Sequence, residues 1–460
     1  MNRSCFRMTA LKIIAWLTFA GALPAYGQTT EATFNAGVAR VVITPEESMW
    51  MGGYAARKKP SEGKVHDLFA KALAIEDERG TKLVIVTVDL IGIPRSLRDT
   101  VEAAVKKSYG LPAESLLLNA SHTHCGPEMR IGKAYVFGLD ARRVQQAREY
   151  RKRLETQLAE LVGRALDDLK PAKLSYTHAR AGLAMNRRTP SKGKFINHPN
   201  PDGPVDHDVP LLKVESADGA LRALLFGYAC HNTTLGFYKF CGDYAGFAQA
   251  YLEEAHPETT ALFMMGCGGD QNPYPRGQLE LARQHGRALA NGVEAALQTK
   301  SRPIVGPLAV VYDETTIEFA PPPTRDDLNA LKENGNKYDH RRAIFLLEEL
   351  DSSGKINAEY SYPIHVAQFG RELTMVSLAG EVVVDYSLRL KEELPGPAVW
   401  IAGYSNDVFG YVPSRRVLSE GGYEAGGAMR YSLLPGPFAA SVESRIVEKV
   451  HELARHVRPE

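Results

Sequence analysis

Short apolar runs closed by polar or glycine-rich punctuation recur along the chain, separated by stretches with helical spacing. Phe34 to Pro45 reads as a first strand that ends at the proline. Met51-Gly52-Gly53-Tyr54-Ala55 follows as a glycine turn, where backbone can approach another group closely. Phe69 to Ile75 and Leu83 to Val88 form two strands around Arg79-Gly80. Leu97 to Tyr109 is helical and stops at Gly110-Leu111-Pro112. Glu114 to Leu118 is a short buried strand, and Arg142 to Leu169 a long helix with Leu154, Leu158, Leu161, Val162 and Leu169 on one face. Strands follow at Lys173 to Ala179, Val209 to Glu215, Leu221 to Ala229 and Ala261 to Met265, with a Pro-, Asn- and His-rich loop expected from Thr189 to Pro204. Helices are expected after Asp243 as far as Glu254 and from Leu279 to Gln298. Beyond a strand from Pro307 to Phe319, the charged stretch Arg325 to Leu350 reads as a helical excursion over the surface. Ile364 to Phe369 and Leu373 to Leu378 make a hairpin, followed by a helix to Leu394, a strand at Val399 to Gly403 and a last helix at Ala439 to Val457. Strands alternating with helices, with several hairpins among them, predict an α/β fold of mixed sheets flanked by helices.

The strand ends share one kind of punctuation. Leu118 runs into Asn119-Ala120-Ser121-His122-Thr123-His124-Cys125-Gly126-Pro127, Ala229 into Cys230-His231-Asn232, Met265 into Gly266-Cys267-Gly268-Gly269-Asp270-Gln271-Asn272, and Leu378 into Ala379-Gly380-Glu381. Alternate residues of an extended chain share a face, so His122 and His124 can point into one site. Ligands of open α/β sheets gather at such strand ends, and a catalytic zinc takes about three ligands from His, Asp, Glu or Cys. The sequence has no His-Glu-x-x-His or Cys-x-x-Cys pair, so the site is dispersed. These residues alone leave a metal hydrolase and a non-catalytic binding protein both open. His66, His178, His207 and His285 lack this setting and read as structural.

Composition narrows the partners. Lys plus Arg total 55 against 54 acidic residues, so no bulk field draws the chain to nucleic acid. Residues 1–27 read as an export signal: Arg3, Arg7 and Lys12 precede an apolar core from Ile13 to Leu23, and Ala25-Tyr26-Gly27 supplies a small-x-small cleavage site. A secreted or periplasmic mature chain is expected, 28–460, as one large domain with no membrane anchor. In that compartment Cys125, Cys230, Cys241 and Cys267 could pair, and Cys230 with Cys241 is the expected pair by proximity. The sequence sets no oligomeric state.

Ala120 to Pro127 resembles the (S/T)-HTHSGP signature of the neutral, non-lysosomal ceramidases, zinc amidases that cleave the N-acyl bond of ceramide. Met51 to Ala55 is similar to that family's MGYA, Asn186-Arg187 to its NR-S-P segment, and Ala229-Cys230-His231 to its second histidine segment. Asp243-Tyr244-Ala245-Gly246 resembles its D-x-x-G, Gly269-Asp270 its GD-x-S-P-N and Gly380-Glu381 its GE helix start; Tyr411 and Tyr423 resemble its tyrosine pair. The resemblance implies one Zn2+ per chain held by His122, His231, Glu381 and Tyr411. It places His124, Arg187 and Tyr423 around the ligands and the substrate carbonyl, with Tyr411 also part of the catalytic group. Asp270 becomes the candidate to pass a proton to the leaving amine, and Gly53 and Asn272 the candidate substrate contacts.

The implied activity is hydrolysis of a linear N-acyl amide by a zinc-activated water, with ceramide as the default small-molecule or lipid substrate. A more polar amide or ester on the same machinery is the alternative, and a binding protein on the same fold the second. Two departures bear on this. Asn272 stands where the family has serine, which removes any serine nucleophile but spares a water-based mechanism. Characterised members also carry a C-terminal β-sandwich, which this chain is read as lacking. The Pro321 to Glu359 insertion, rich in charge, is expected to form a polar rim or to cover the surface.

Overall fold

The computed structural model describes residues 34–458, so the expected export signal lies outside the described residues. In chain order the first strands are β1 (Phe34–Val42), β2 (Phe69–Asp77), β3 (Lys82–Val88), β4 (Leu116–Ala120), β5 (Lys170–Arg180) and β6 (Ala184–Ser191). They are followed by β7 (Lys194–Asn200), β8 (Asp208–Ser216), β9 (Leu221–Tyr228), β10 (Thr260–Met265), β11 (Gln271–Pro273) and β12 (Arg302–Ile304). The last are β13 (Leu308–Glu318), β14 (Glu359–Phe369), β15 (Leu373–Leu378), β16 (Glu381–Val382), β17 (Val399–Ala402) and β18 (Tyr411–Val412). The helices are α1 (Arg95–Tyr109), α2 (Ile131–Phe137), α3 (Ala141–Asp167), α4 (Asp243–Ala255) and α5 (Leu279–Leu297). After them come α6 (Arg325–Asn334), α7 (Lys337–Ser353), α8 (Val384–Glu393), α9 (Arg415–Glu420) and α10 (Val442–Val457).

A nine-stranded sheet in the order β10-β9-β8-β5-β1-β2-β3-β4, with β12 beside β5, forms one layer, and a four-stranded sheet, β13-β14-β15-β17, forms the next. The period-2 alternation of strands explains why the apolar runs are nearly unbroken. Val84, Val86, Leu116 and Leu118 face α1 and α3, while Leu83, Ile85 and Leu117 pack with Phe369, Leu373, Met375 and Trp400 of the second sheet. The second sheet's far face is covered by α8 and α10 through Tyr386, Leu390, Ile446 and Val450. The layers therefore run helix, sheet, sheet, helix: the mixed α/β class expected from the pattern.

The end strands β4 and β10 are held together by one side chain. Asn119 Oδ1 accepts from Met265 N at 2.8 Å, and its Nδ2 donates to Gly403 O at 2.8 Å and Ser405 Oγ at 3.0 Å. This buried amide does the work of a missing ladder and brings the C-terminal ends of β4, β10 and β17 to one place.

Three expectations need correction. Thr189 to Pro204 is not a loop throughout, because β6 and β7 form a ribbon. Its polar composition reflects an exposed β7 and rungs made by side chains, Asn200 Nδ2 to Arg188 O and Thr189 Oγ1 to His198 O. The Arg325 to Leu350 stretch is two helices rather than one: Gly335 ends α6, and Asn336 caps α7 by accepting from Tyr338 N and Asp339 N. Cys230 and Cys241 do not pair. Both are free and buried, Cys230 packing with Tyr228, Tyr244 and Phe263 and Cys241 with Phe240, Phe247 and Cys125, in separate apolar clusters.

Candidate metal centre

His122, His124 and His231 form a buried group whose ligand atoms lie within 4.8 Å of one another and could hold a metal ion. His122 and His124 meet at 3.2 Å between their Nε2 atoms, but by another route than alternation along a strand. β4 ends at Ala120, and His122 sits in the left-handed region at φ 61°. Its N–H bonds Leu90 O and its Nδ1 bonds Ile91 O at 2.6 Å, so the surroundings hold this uncommon backbone state in place. His231 follows β9, with Nδ1 on Gly268 O at 2.6 Å. Gly53, at φ 96°, makes room for His124; a Cβ there would stand 2.4 Å from His124 Nδ1.

A separate two-stranded sheet contributes the carboxylate and the phenol. β16 and β18 pair in parallel with Glu381 opposite Tyr411, which sets the two side chains next to each other. Glu381 Oε2 stands 3.3 Å from His122 Nε2 and 3.4 Å from His231 Nε2, and Tyr411 OH is 3.2 Å from His231 Nε2.

The proton inventory makes this arrangement diagnostic. A carbonyl only accepts, so the Nδ1 atoms of His122 and His231 carry protons, and in a neutral imidazole Nε2 is then a bare lone pair. Burial and Arg187 push His231 down to about 3, which keeps it neutral. Burial and the two neighbouring imidazoles hold His124 well below the usual histidine range. Burial works to raise Glu381, and only the positive charge that His122 and His231 carry when protonated outweighs it and holds the carboxyl well below its ordinary value. The Nε2 atoms of two imidazoles and a carboxylate oxygen thus converge, and that oxygen has no hydrogen-bond partner among the described residues. Such a set is repulsive without a cation between its members, and its N/N/O chemistry fits a divalent metal.

Arg187 organises the adjoining wall. It donates through Nε to Glu424 Oε1 at 2.8 Å, through Nη1 to Asn272 Oδ1 at 3.2 Å and through Nη2 to Tyr411 OH at 3.0 Å. Glu424 also accepts from Arg188 Nη1 at 2.6 Å. Burial drives Tyr411 well above the usual phenol range, with Arg187 opposing it, so the phenol keeps its proton in the protein as it stands. Tyr423 packs edge-on to Tyr411, ring centroids 5.4 Å apart.

A cavity of about 300 Å³ opens on this group, lined by Gly53, His122, His124, Glu381, Tyr411 and Tyr423 among others. Two sequence candidates stand apart from it. Asp270 is fully buried outside the cavity lining: Oδ1 accepts from Val384 N at 2.8 Å, at the start of α8, and Oδ2 from Asn186 Nδ2 at 3.3 Å. Asn272 braces Arg187 and accepts from Thr233 Oγ1 at 3.2 Å. Sequence reading missed Glu424, Tyr54, Arg130 and Lys133. Glu424 directly follows Tyr423 and Arg130 lies three residues past Pro127, but no spacing in the chain marks any of them.

A family model described as "Neutral/alkaline non-lysosomal ceramidase, N-terminal" matches residues 34–285, more than half of the chain. Over 100 residues the chain is 32% identical to the neutral ceramidases of Drosophila pseudoobscura pseudoobscura and Drosophila melanogaster. That stretch covers 21% of this chain and spans 14% of the length of each relative. The solved neutral ceramidase of Pseudomonas aeruginosa shares the fold at a TM-score of 0.72 and 19% identity, over 94% of this chain and 76% of that one. A structure described as ceramidase complexed with C2 gives the same TM-score and identity, over 77% of its length.

Proposed function

The chain belongs to the neutral/alkaline non-lysosomal ceramidase family, and from that premise we propose that it is an exported zinc-dependent amidase that hydrolyses linear N-acyl amides, with ceramide the default substrate. The observation that carries this reading is the convergence of two imidazole Nε2 atoms on an unpartnered, buried carboxylate oxygen at 3.3 and 3.4 Å on the wall of a cavity. In this reading His122, His231, Glu381 and Tyr411 hold the metal, and His124 lies beside them. When bound, zinc supplies Lewis-acid polarisation of the amide carbonyl and an activated water. The chain's own groups do the rest. The phenol of Tyr423 and the Arg187-polarised edge of Tyr411 face the carbonyl oxygen and hold the charge that develops on it. His124, neutral and on the cavity wall, holds and returns the proton that the leaving amine needs. Asn272 and Glu424 fix the guanidinium of Arg187, and Asp270 positions Glu381 by capping the helix that follows it. No serine nucleophile is required.

Metal analysis of purified protein should give one zinc per chain. His122→Ala and His231→Ala should lose both the metal and the hydrolysis of a short-chain fluorescent ceramide, by at least a hundredfold. Full zinc retention by both variants would sink the ligand assignment. His124→Ala separates this set from a three-histidine one, because it should keep the zinc and lose most of the rate.

A further inference from the structure

The cavity beside the histidine group holds a lysine ammonium with no carboxylate in direct contact among the described residues. Of its other charged groups, Arg130 and Glu424 are paired, while Glu381 faces the histidine group. Glu424 is held by Arg187 and Arg188 at 2.8 and 2.6 Å, and Arg130 is bound by both oxygens of Glu128 at 2.8 and 2.7 Å. Glu381 lies against His122 and His231. Lys133, on α2, lines the same cavity, and among the described residues no carboxylate stands within ion-pair distance of it. An ammonium has three donors. One of them goes to Tyr431 O at 2.6 Å, and the others are left over. Burial and the neighbouring Arg130 bring Lys133 down to about 8 against the opposing pull of the more distant Glu381 and Glu128, which leaves it mostly charged at neutral pH. Arg130 adds Nη1, the guanidinium nitrogen that Glu128 does not engage.

A neutral amide with hydroxylated carbons has no use for an unpaired cation beside its scissile bond, whereas a carboxylate would satisfy both Lys133 and the free edge of Arg130. The cavity also limits the distance. About 300 Å³ is the lower end of the range for small-molecule pockets, so the charge and the scissile bond have to be close together. A carboxylate one carbon from the amide nitrogen meets that condition, with the acyl chain leading out of the cavity. We propose that Lys133, seconded by Arg130, recognises a carboxylate on the amine side of the substrate, so that N-acyl amino acids are preferred to neutral N-acyl amines. Hydrolysis adds water across the C–N bond and releases a fatty acid and the free amino acid. The inference rests on the amidase reading above and names its substrate class.

The test uses the zinc-loaded full chain with N-lauroylglycine and N-lauroylethanolamine, which match in length and differ in carboxylate against hydroxyl. The expected kcat/KM ratio favours the glycine conjugate by about tenfold or more. Lys133→Gln should bring that ratio close to one, Lys133→Glu should invert it, and Lys133→Arg should keep it. Calorimetry on metal-free protein separates recognition from turnover. Tighter binding of the glycine conjugate, lost in Lys133→Gln, with neither compound hydrolysed, would uphold the recognition and sink the amidase reading. Turnover of both compounds with no preference in rate or in binding would overturn the inference alone.

Discussion

Asp270 carries its charge in the least hospitable place of any group near the site. Burial, reinforced by Asp385 and Glu424, lifts its carboxyl from 3.8 to about 6, against the hydrogen bond from Val384 N. The folded protein therefore holds a proton that the unfolded chain has already released between about pH 4 and 6. Its stabilising contribution is complete below pH 4 and is lost as pH rises through 6, about 3 kcal/mol in total. Asp270→Asn keeps an acceptor for Val384 N and removes the titration. Relative to the parent protein, the Tm of the variant should rise between pH 4 and 7, whatever constant offset the new amide brings against Asn186 Nδ2. A pH-independent difference would show that Asp270 is not the strained acid described here. The same variant decides its part in the chemistry. A side chain that only positions α8 should cost less than tenfold in rate at pH 7, and a loss of a thousandfold would restore the direct proton transfer that its motif suggested.

One helix of the charged insertion, α7, acts on the cavity without lining it. Tyr338 on α7 donates to Ala55 O at 2.8 Å and packs its ring on Tyr431 and Phe137, centroids 5.0 and 6.4 Å away. Ala55, Phe137 and Tyr431 all line the cavity, so one phenol braces three pieces of its rim. Tyr338→Ala should cost about 2 kcal/mol of stability from the lost hydrogen bond and ring contacts. It should also raise KM severalfold with kcat little changed, and an unaltered KM would confine α7 to a structural role. At this scale the sequence was legible wherever burial dominates: β4, β9 and β15 are apolar runs whose following polar residues converge on the site, whereas Asp270, past the apolar β10, stands apart from it. It was illegible where local side chains replace pattern. The β6–β7 ribbon is polar because its rungs are Asn200 and Thr189, and Asn336 splits a continuous helical period with one cap. The left-handed turn at His122 depends on Leu90 and Ile91, some thirty residues upstream, and no local spacing encodes that. Glu424 and Lys133 matter through partners far away in the chain, which a single sequence does not display.

For the molecule as a whole the question is how the proposed lipid-like substrate would reach so small a cavity. The exposed large apolar side chains among the described residues, Val42, Tyr109, Tyr135, Ile196, Tyr274, Val305 and Leu388, come from separate elements, and of these only Tyr135 lies on a helix that lines the cavity. Scattered residues of this kind are ordinary surface and do not form a patch that inserts into a bilayer. With 55 basic and 54 acidic residues, no long-range field concentrates the protein on an anionic membrane either. No helix among the described residues is long and apolar enough to cross a membrane. If substrate comes to the cavity out of the aqueous phase, the rate should follow the monomer concentration of the amide rather than the total lipid. Monomeric short-chain ceramide should be turned over faster than long-chain ceramide held in zwitterionic vesicles, and adding anionic lipid should change the vesicle rate by less than about twofold. Faster turnover of the vesicle-bound substrate, or a steep rise with anionic lipid that salt abolishes, would mean that the protein docks on the bilayer and extracts its substrate there.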